Sequence, residues 1–471
     1  MSARQTGAER VVMLEKAPEE EFGGNARYSH TGFHYAYNGT DDMKKIVPDL
    51  DPEMAARFDI PTYSPDRFME DLNRVTQGRI DQQLARFIVD QSNSALRWMF
   101  ECSIKFEPEK RREDNGKFYL EPGIMVHTLG GGLGQLLRWR EIATDLGVEV
   151  RYDSRVTRFI GDHRRVKDVK VPTPDDDYDI TAPSVIVCAG GFQANPEMRA
   201  RYLGPNADQM WVRGSKHNTG EVLRMLLDLG VKAAGHWQGV HATPIDRNSP
   251  DGGTPLPDDG HSNTCNRYDY PMGITVNALG ERFYDEGESN HSYTYAKTGR
   301  AVLDQPGGAA HQNFDQKGIN LFRLGAEYTD TYEEAETIAA LAGEIGLDAE
   351  PLITTIDEFN AGCSDVPFNP SWLDGKSNSG LKVNKPNWAN PVDEGPFRAY
   401  PITCGVTFPF GGVRTNTRAE VLDVTDKPIK GLYASGDVVG LFFHNYPSCT
   451  GQTRSAVFSG EAGRSAAAPS N

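Results

Sequence analysis

The stretch from Gly431 to Gly460 constrains this chain most. Leu432 to Ala434 is a short apolar run of the buried-strand type. Ser435-Gly436-Asp437 then turns the chain and leaves a carboxylate at the strand's C-terminal end. Open α/β sheets bind ligands at that edge. From Gly451 the residues are small, and the pattern predicts a helix through Ala467 with Thr450 as candidate N-cap. The N-terminus of such a helix presents N–H groups and the positive end of its dipole. Asp437 would accept a hydrogen bond from a sugar-alcohol hydroxyl. The same pattern also suits an ordinary strand–loop–helix corner, so it does not decide the fold alone.

The N-terminal end points the same way. Arg10 to Lys16 is an apolar run ending in an acid, and Glu15 fits the carboxylate that closes the second strand of a dinucleotide unit on a ribose. Gly23-Gly24-Asn25 follows, where two glycines let backbone approach a cofactor. A solvated Glu and a plain Gly turn are the bland alternatives. Such a unit opens with a strand and a Gly-x-Gly-x-x-Gly turn within a βαβ segment of roughly 30 residues. That turn is not in the sequence, and Met1 to Ala8 reads as the tail of its helix. The expectation is that the natural gene encodes this strand and turn upstream of Met1.

Residues 41 to 122 read mostly helical, with Leu84, Phe87, Ile88, Leu96 and Phe100 at helical spacing. Gly130-Gly131-Gly132 opens a helix to Leu146, strands are expected near 147–152, 154–160 and 166–171, and Ser184 to Phe192 is a buried strand carrying Gly190-Gly191. Asn218-Thr219-Gly220 opens another helix. Composition shifts near Gly235. Pro244 to Asn266 is loop-like, Gly273 to Asn277 strand-like and Asp330 to Leu347 helical, and the first architecture returns near Phe397. This predicts an α/β, doubly wound, glutathione reductase-like domain in two parts, 1–235 and 390–471, with an α+β capping domain, 236–389, inserted between them.

Net charge is -17, which disfavours nucleic acid and acidic membrane surfaces as partners. Acidic runs such as Glu19-Glu20-Glu21 and Asp175-Asp176-Asp177 read as solvated loops. The six cysteines contain no Cys-x-x-Cys pair, which argues against a cysteine zinc site and a disulfide framework and fits a reducing, cytoplasmic setting. No metal site is expected, and no apolar run reaches the length of a membrane span.

The motifs Val-Met-Leu-Glu-Lys-Ala-Pro…Gly-Gly-Asn (12–25), Cys-Ala-Gly-Gly-Phe-Gln-Ala-Asn-Pro (188–196), Val-Asn-Ala-Leu-Gly-Glu-Arg-Phe-Tyr-Asp-Glu (276–286), Thr-Phe-Pro-Phe-Gly-Gly (407–412) and Gly-Leu-Tyr-Ala-Ser-Gly-Asp…His-Asn-Tyr-Pro (431–447) belong together. As a set the chain resembles flavoproteins of the fumarate reductase and succinate dehydrogenase type, and is similar to their soluble tricarballylate dehydrogenase-like members. The resemblance implies FAD along the sheet edge. Glu15 would bind the adenosine ribose, and Lys16, Gly23, Gly24, Asn25 and Ser29 would follow along the cofactor. Val156 would offer backbone to the adenine, Ala189 and Gly190 would line the site, and Asp437 would hold the ribityl chain. The helix start at Thr450 and Gly451 would face the flavin, which gains negative charge on reduction.

The implied activity is hydride transfer between flavin N5 and a CH–CH bond of a small, tricarballylate-like carboxylate, with an electron acceptor left undefined. Arg300, in Thr-Gly-Arg-Ala-Val-Leu, is the candidate carboxylate anchor. His444, Tyr446, Tyr295 and His291 are candidate hydrogen-bonding or proton-transfer groups. The sequence departs from its relatives at Ser448-Cys449, where they carry Gly-Gly; it also lacks the Arg that fumarate reductases place at Tyr446 and the His they place near Phe408, so fumarate itself is an unfavoured substrate. Glu286 matches a relay position, but Ser289 replaces its Arg partner. Two alternatives stand beside this reading: a ketosteroid-dehydrogenase-like flavoenzyme, or a truncated product that binds no FAD.

Overall fold

The apolar run before Glu15 forms strand Val12–Leu14, which pairs in parallel with Glu149–Arg151. A computed structural model describes residues 1–109, 112–114, 116–172, 177–249, 265–322, 328 and 331–468. A second sheet is built on strand Pro428–Ala434, whose Leu432, Tyr433 and Ala434 run parallel to Val185–Val187. Both strands end at the Gly-rich turns read from sequence, so Ala189, Gly190 and Asp437 come to one edge.

Helix Thr450–Ala467 covers this sheet and packs on helix Gln82–Glu101, where the Phe87 and Phe458 ring centroids lie 5.6 Å apart. Leu84, Ile88 and Leu96 form the buried stripe of the second helix. Each contributes about 1.5–3 kcal/mol by burial. Asp81 caps it, accepting from Leu84 N at 2.9 Å, a contact worth about 1 kcal/mol.

The covering part is a second six-stranded sheet. Its spine is Phe397–Pro409, which pairs in parallel with Trp211–Val212 and antiparallel with Val240–Asp246, Ala309–Phe314 and Glu333–Ala335. Residues 397–409, where the return to the first architecture is expected, are mostly buried and pair within the covering sheet. On this pairing we propose that the inserted part runs from about residue 236 to Pro409.

Two expectations change. Asp330 to Leu347 is not one helix: Glu333–Ala335 is a strand and Ile338–Glu344 a helix, capped by Thr337, while residue 330 lies outside the described residues. The segment 41–122 is mostly helical as expected, with helices Thr40–Ile46, Pro65–Thr76 and Gln82–Glu101, and it adds the short strands Phe106–Pro108 and Lys117–Tyr119. The loop at Pro244 to Asn266 begins as strand Val240–Asp246, and its residues 250–264, like 175 and 176 of the acidic run, lie outside the described residues. No helix among the described residues is long and apolar enough to cross a membrane.

Candidate active site

A cavity of about 1100 Å³ extends from strand Val12–Leu14 to the underside of the covering sheet. Small-molecule sites usually span about 300–1,000 Å³, so this one suits a large ligand or a cofactor with its substrate.

Backbone turns build the first end, which Val156 and Ala189 also line. The Glu15 carboxylate accepts from Ala17 N at 2.9 Å and Gly23 N at 3.2 Å, which fixes it at the strand end. Lys16 Nζ donates to Thr219 Oγ1 at 2.6 Å and lies 3.2 Å from Glu221, tying the strand to the next helix. Gly190 has φ +70, and a Cβ there would sit 3.0 Å from Asn218 Oδ1, so glycine keeps this wall thin. Gly23 and Gly24 line the cavity, and Asn25 bridges to the covering part: its amide donates to Thr407 O and accepts from Ser215 N at 2.9 Å.

In the middle, Ser29 accepts from Gln452 Nε2 at 2.8 Å. Asp437 pairs with the buried Arg454, a partner the sequence reading missed. Gly451 lines the cavity, but Thr450 does not and is not the N-cap. Cys449 takes that place with φ +67, and Thr450 is the first helical residue, its hydroxyl donating to Pro447 O at 2.7 Å. A left-handed backbone at a non-glycine residue costs roughly 1–2 kcal/mol.

Side chains from distant segments build the far end. Helix Tyr295–Leu303 lies flush on strand Val240–Asp246, because a Cβ at Gly299 would meet Thr243 N at 2.6 Å. This approach brings Tyr295 to His241, with ring centroids 4.9 Å apart. The Tyr295 and Tyr446 hydroxyls are 2.7 Å apart, and Ser448 Oγ lies 3.4 Å from Tyr295 Oη. Burial raises both phenols well above their ordinary range, so the pair is protonated at neutral pH. His241 is buried, and its Nδ1 has no hydrogen-bond partner from another residue among the described residues. Burial and then the Arg213 guanidinium push His241 well below its usual range. Arg213 lines the cavity and donates to Asn266 Oδ1 at 2.8 Å and Thr407 Oγ1 at 2.9 Å. Below this group, His34 supports the loop, its Nδ1 lying 3.0 Å from Ser448 O.

The structure separates some expected site residues from this cluster. Arg300 does not line the cavity: it donates to Leu203 O and Pro205 O and lies 3.3 Å from Asp304. Five residues after Tyr295, it is turned about 140° around the helix. His444 does not line it either, and its ring packs on His236 at 5.1 Å. The left-handed φ of +57 at His444 breaks the alternation that would place it beside Tyr446. His291 reaches the cavity but lies 2.7 Å from Glu121. Glu286 is buried against Arg282, away from the cavity. Arg213 and His241 were missed from sequence, although a histidine inside the apolar run Val240 to Ile245 is a readable signal.

A parallel-strand edge with Gly-rich turns, roofed by a second sheet, defines a nucleotide-cofactor oxidoreductase fold. The chain belongs to the FAD binding domain family, which matches residues 1–452. It is 25% identical over 452 residues to the probable fumarate reductase Ifc3 of Shewanella frigidimarina, covering 93% of this chain and 67% of that protein. It is 28% identical over 274 residues to 4-oxocyclohexanecarboxylate 2-dehydrogenase of Sinomonas cyclohexanicum, covering 54% and 45%. Its fold matches 3-ketosteroid delta1-dehydrogenase from Sterolibacterium denitrificans with a TM-score of 0.74 at 19% identity, over 99% of this chain and 96% of that one. The protein is an FAD-dependent oxidoreductase.

The residues present fit FAD. Glu15 is held at the strand end where a ribose binds, Gly190 leaves a thin wall, and the cavity is large enough for cofactor and substrate.

Proposed function

We propose that this protein acts on a CH–CH bond of a small carboxylate, tricarballylate-like in carrying acid groups on neighbouring carbons. The observation that carries the reading is the Tyr295–Tyr446 hydroxyl pair, 2.7 Å apart, in the same cavity as Arg213. Bound FAD supplies the hydride acceptor or donor. Arg213 holds a substrate carboxylate, its planar fork already oriented by Asn266 and Thr407. The protonated phenols donate a hydrogen bond or a proton where negative charge develops beside the reacting carbon. The buried His241 ring packs on both phenols, at 4.9 Å from Tyr295 and 5.3 Å from Tyr446, and holds the pair in place.

A second reading has one observation in its favour. Phe408 lines the cavity and packs on Tyr446 with ring centroids 5.6 Å apart, so a ring ketone would meet an aromatic face with a phenol pair for its oxygen. The 4-oxocyclohexanecarboxylate relative acts on a molecule with both groups. The test is steady-state turnover of a panel: tricarballylate, ring oxo acids and their carboxylate-free ketones. Turnover of acids and loss of activity on their methyl esters supports the carboxylate reading. Equal turnover of the neutral ketones overturns it in favour of the second.

A further inference from the structure

We propose that His30, Glu109 and His127 form a site for a divalent transition metal of the zinc type. His30 Nε2 and His127 Nδ1 each lie 3.2 Å from Glu109 Oε2, and the three ligand atoms lie within 4.8 Å of one another. Neighbouring ligand atoms around a tetrahedral ion with bonds of about 2.0–2.2 Å stand roughly 3.3 Å apart. Two imidazoles and one carboxylate are the donor set of several open zinc sites, which leave a fourth position for water or a ligand.

Two features go beyond a chance cluster. Strand Phe106–Pro108 pairs antiparallel with Ile124–Thr128, and Glu107 stands directly opposite His127. Glu107 Oε1 lies 3.1 Å from His127 Nε2. A carboxylate on the outer ring nitrogen holds the proton there and leaves the Nδ1 lone pair for a metal, an arrangement common behind metal-bound histidines. The third ligand is also fixed. The His30 ring stacks on His127 with centroids 5.1 Å apart, and the neighbouring Thr31 receives a hydrogen bond from Thr128 Oγ1 at 2.6 Å. Glu109 is buried, and His30 lines the main cavity. The sequence shows no ligand spacing because the three residues come from a loop, a strand end and a second strand.

The test uses the full chain, stripped with a chelator and titrated with Co²⁺ and then Zn²⁺. One Co²⁺ per chain should bind with the intense visible absorption of tetrahedral cobalt, and Zn²⁺ should displace it. His30→Ala and Glu109→Gln should each abolish that event, and Glu107→Gln should weaken it about 10–100-fold. Absence of stoichiometric binding to the wild-type chain overturns the proposal, whether or not the variants fold. So does undiminished affinity in His30→Ala, which would place the metal elsewhere.

Discussion

The two ends of the cavity are built by different means. The end near Val12–Leu14 is made from backbone: strand ends, left-handed glycines and a carboxylate that accepts two nearby N–H groups. The end under the covering sheet is made from side chains far apart in sequence. Tyr295 and Tyr446 meet across 151 positions, and Asn25 reaches Thr407 across 382. Backbone recognition tolerates changes of side chain, whereas a converging side-chain cluster loses its chemistry when one member changes. The first end therefore suits a constant cofactor, and the second suits a substrate that differs between relatives.

The sharpest test of this contrast is the hydroxyl pair. Tyr295→Phe or Tyr446→Phe should lower kcat by about 10²–10⁴-fold, the usual worth of a positioned acid or base. Flavin content should stay intact, since neither side chain builds the first end. Loss of flavin in parallel with activity would break the distinction between the ends.

Acid should damage the substrate end through its support. Burial holds His34 at about 4 against an ordinary 6.5. The unfolded chain therefore binds a proton near pH 6.5 that the folded chain refuses until about pH 4. Stability should fall as pH drops through that window, by on the order of 3 kcal/mol from His34 alone. Thermal denaturation of the wild type and His34→Asn across that range checks it: the variant should show a shallower acid slope.

Arg213→Lys keeps the charge but loses the fork, and kcat/KM for a carboxylate substrate should fall about tenfold, mainly through KM. An unchanged KM would remove Arg213 from substrate recognition. Arg300→Lys should have the smallest effect, a change in kcat/KM of less than about twofold, because its partners are the Leu203 and Pro205 carbonyls, outside the cavity. A large loss there would restore the anchor expected from sequence and refute the placement of the carboxylate at Arg213.

The cofactor end was legible because its signals are local. Glu15 closes a strand a few residues long, and Gly23, Gly24 and Gly190 announce turns that only their own φ values require. Helix Thr450–Ala467 was read within one residue at its start, although the capping position passed from Thr450 to Cys449. The covering sheet was harder. Phe397–Pro409 reads alike as a strand of either part, since apolar content says that a strand is buried but not beside which partner.

By itself the sequence determined the class of fold from strand-end acids and Gly-rich turns, which act within a few residues of themselves, and the family and cofactor through the set of motifs that resembles the fumarate reductase flavoproteins. Tertiary structure alone decided which arginine and which histidine line the cavity. Arg300 and His444 lie in matching motifs, yet a turn of helix and one left-handed φ point them away. Arg213 and His241 carry no motif, yet strand pairing to Val406 and Phe408 brings both to the cavity. Side-chain direction depends on helix phase and sheet register, and register is set by partners distant in the chain.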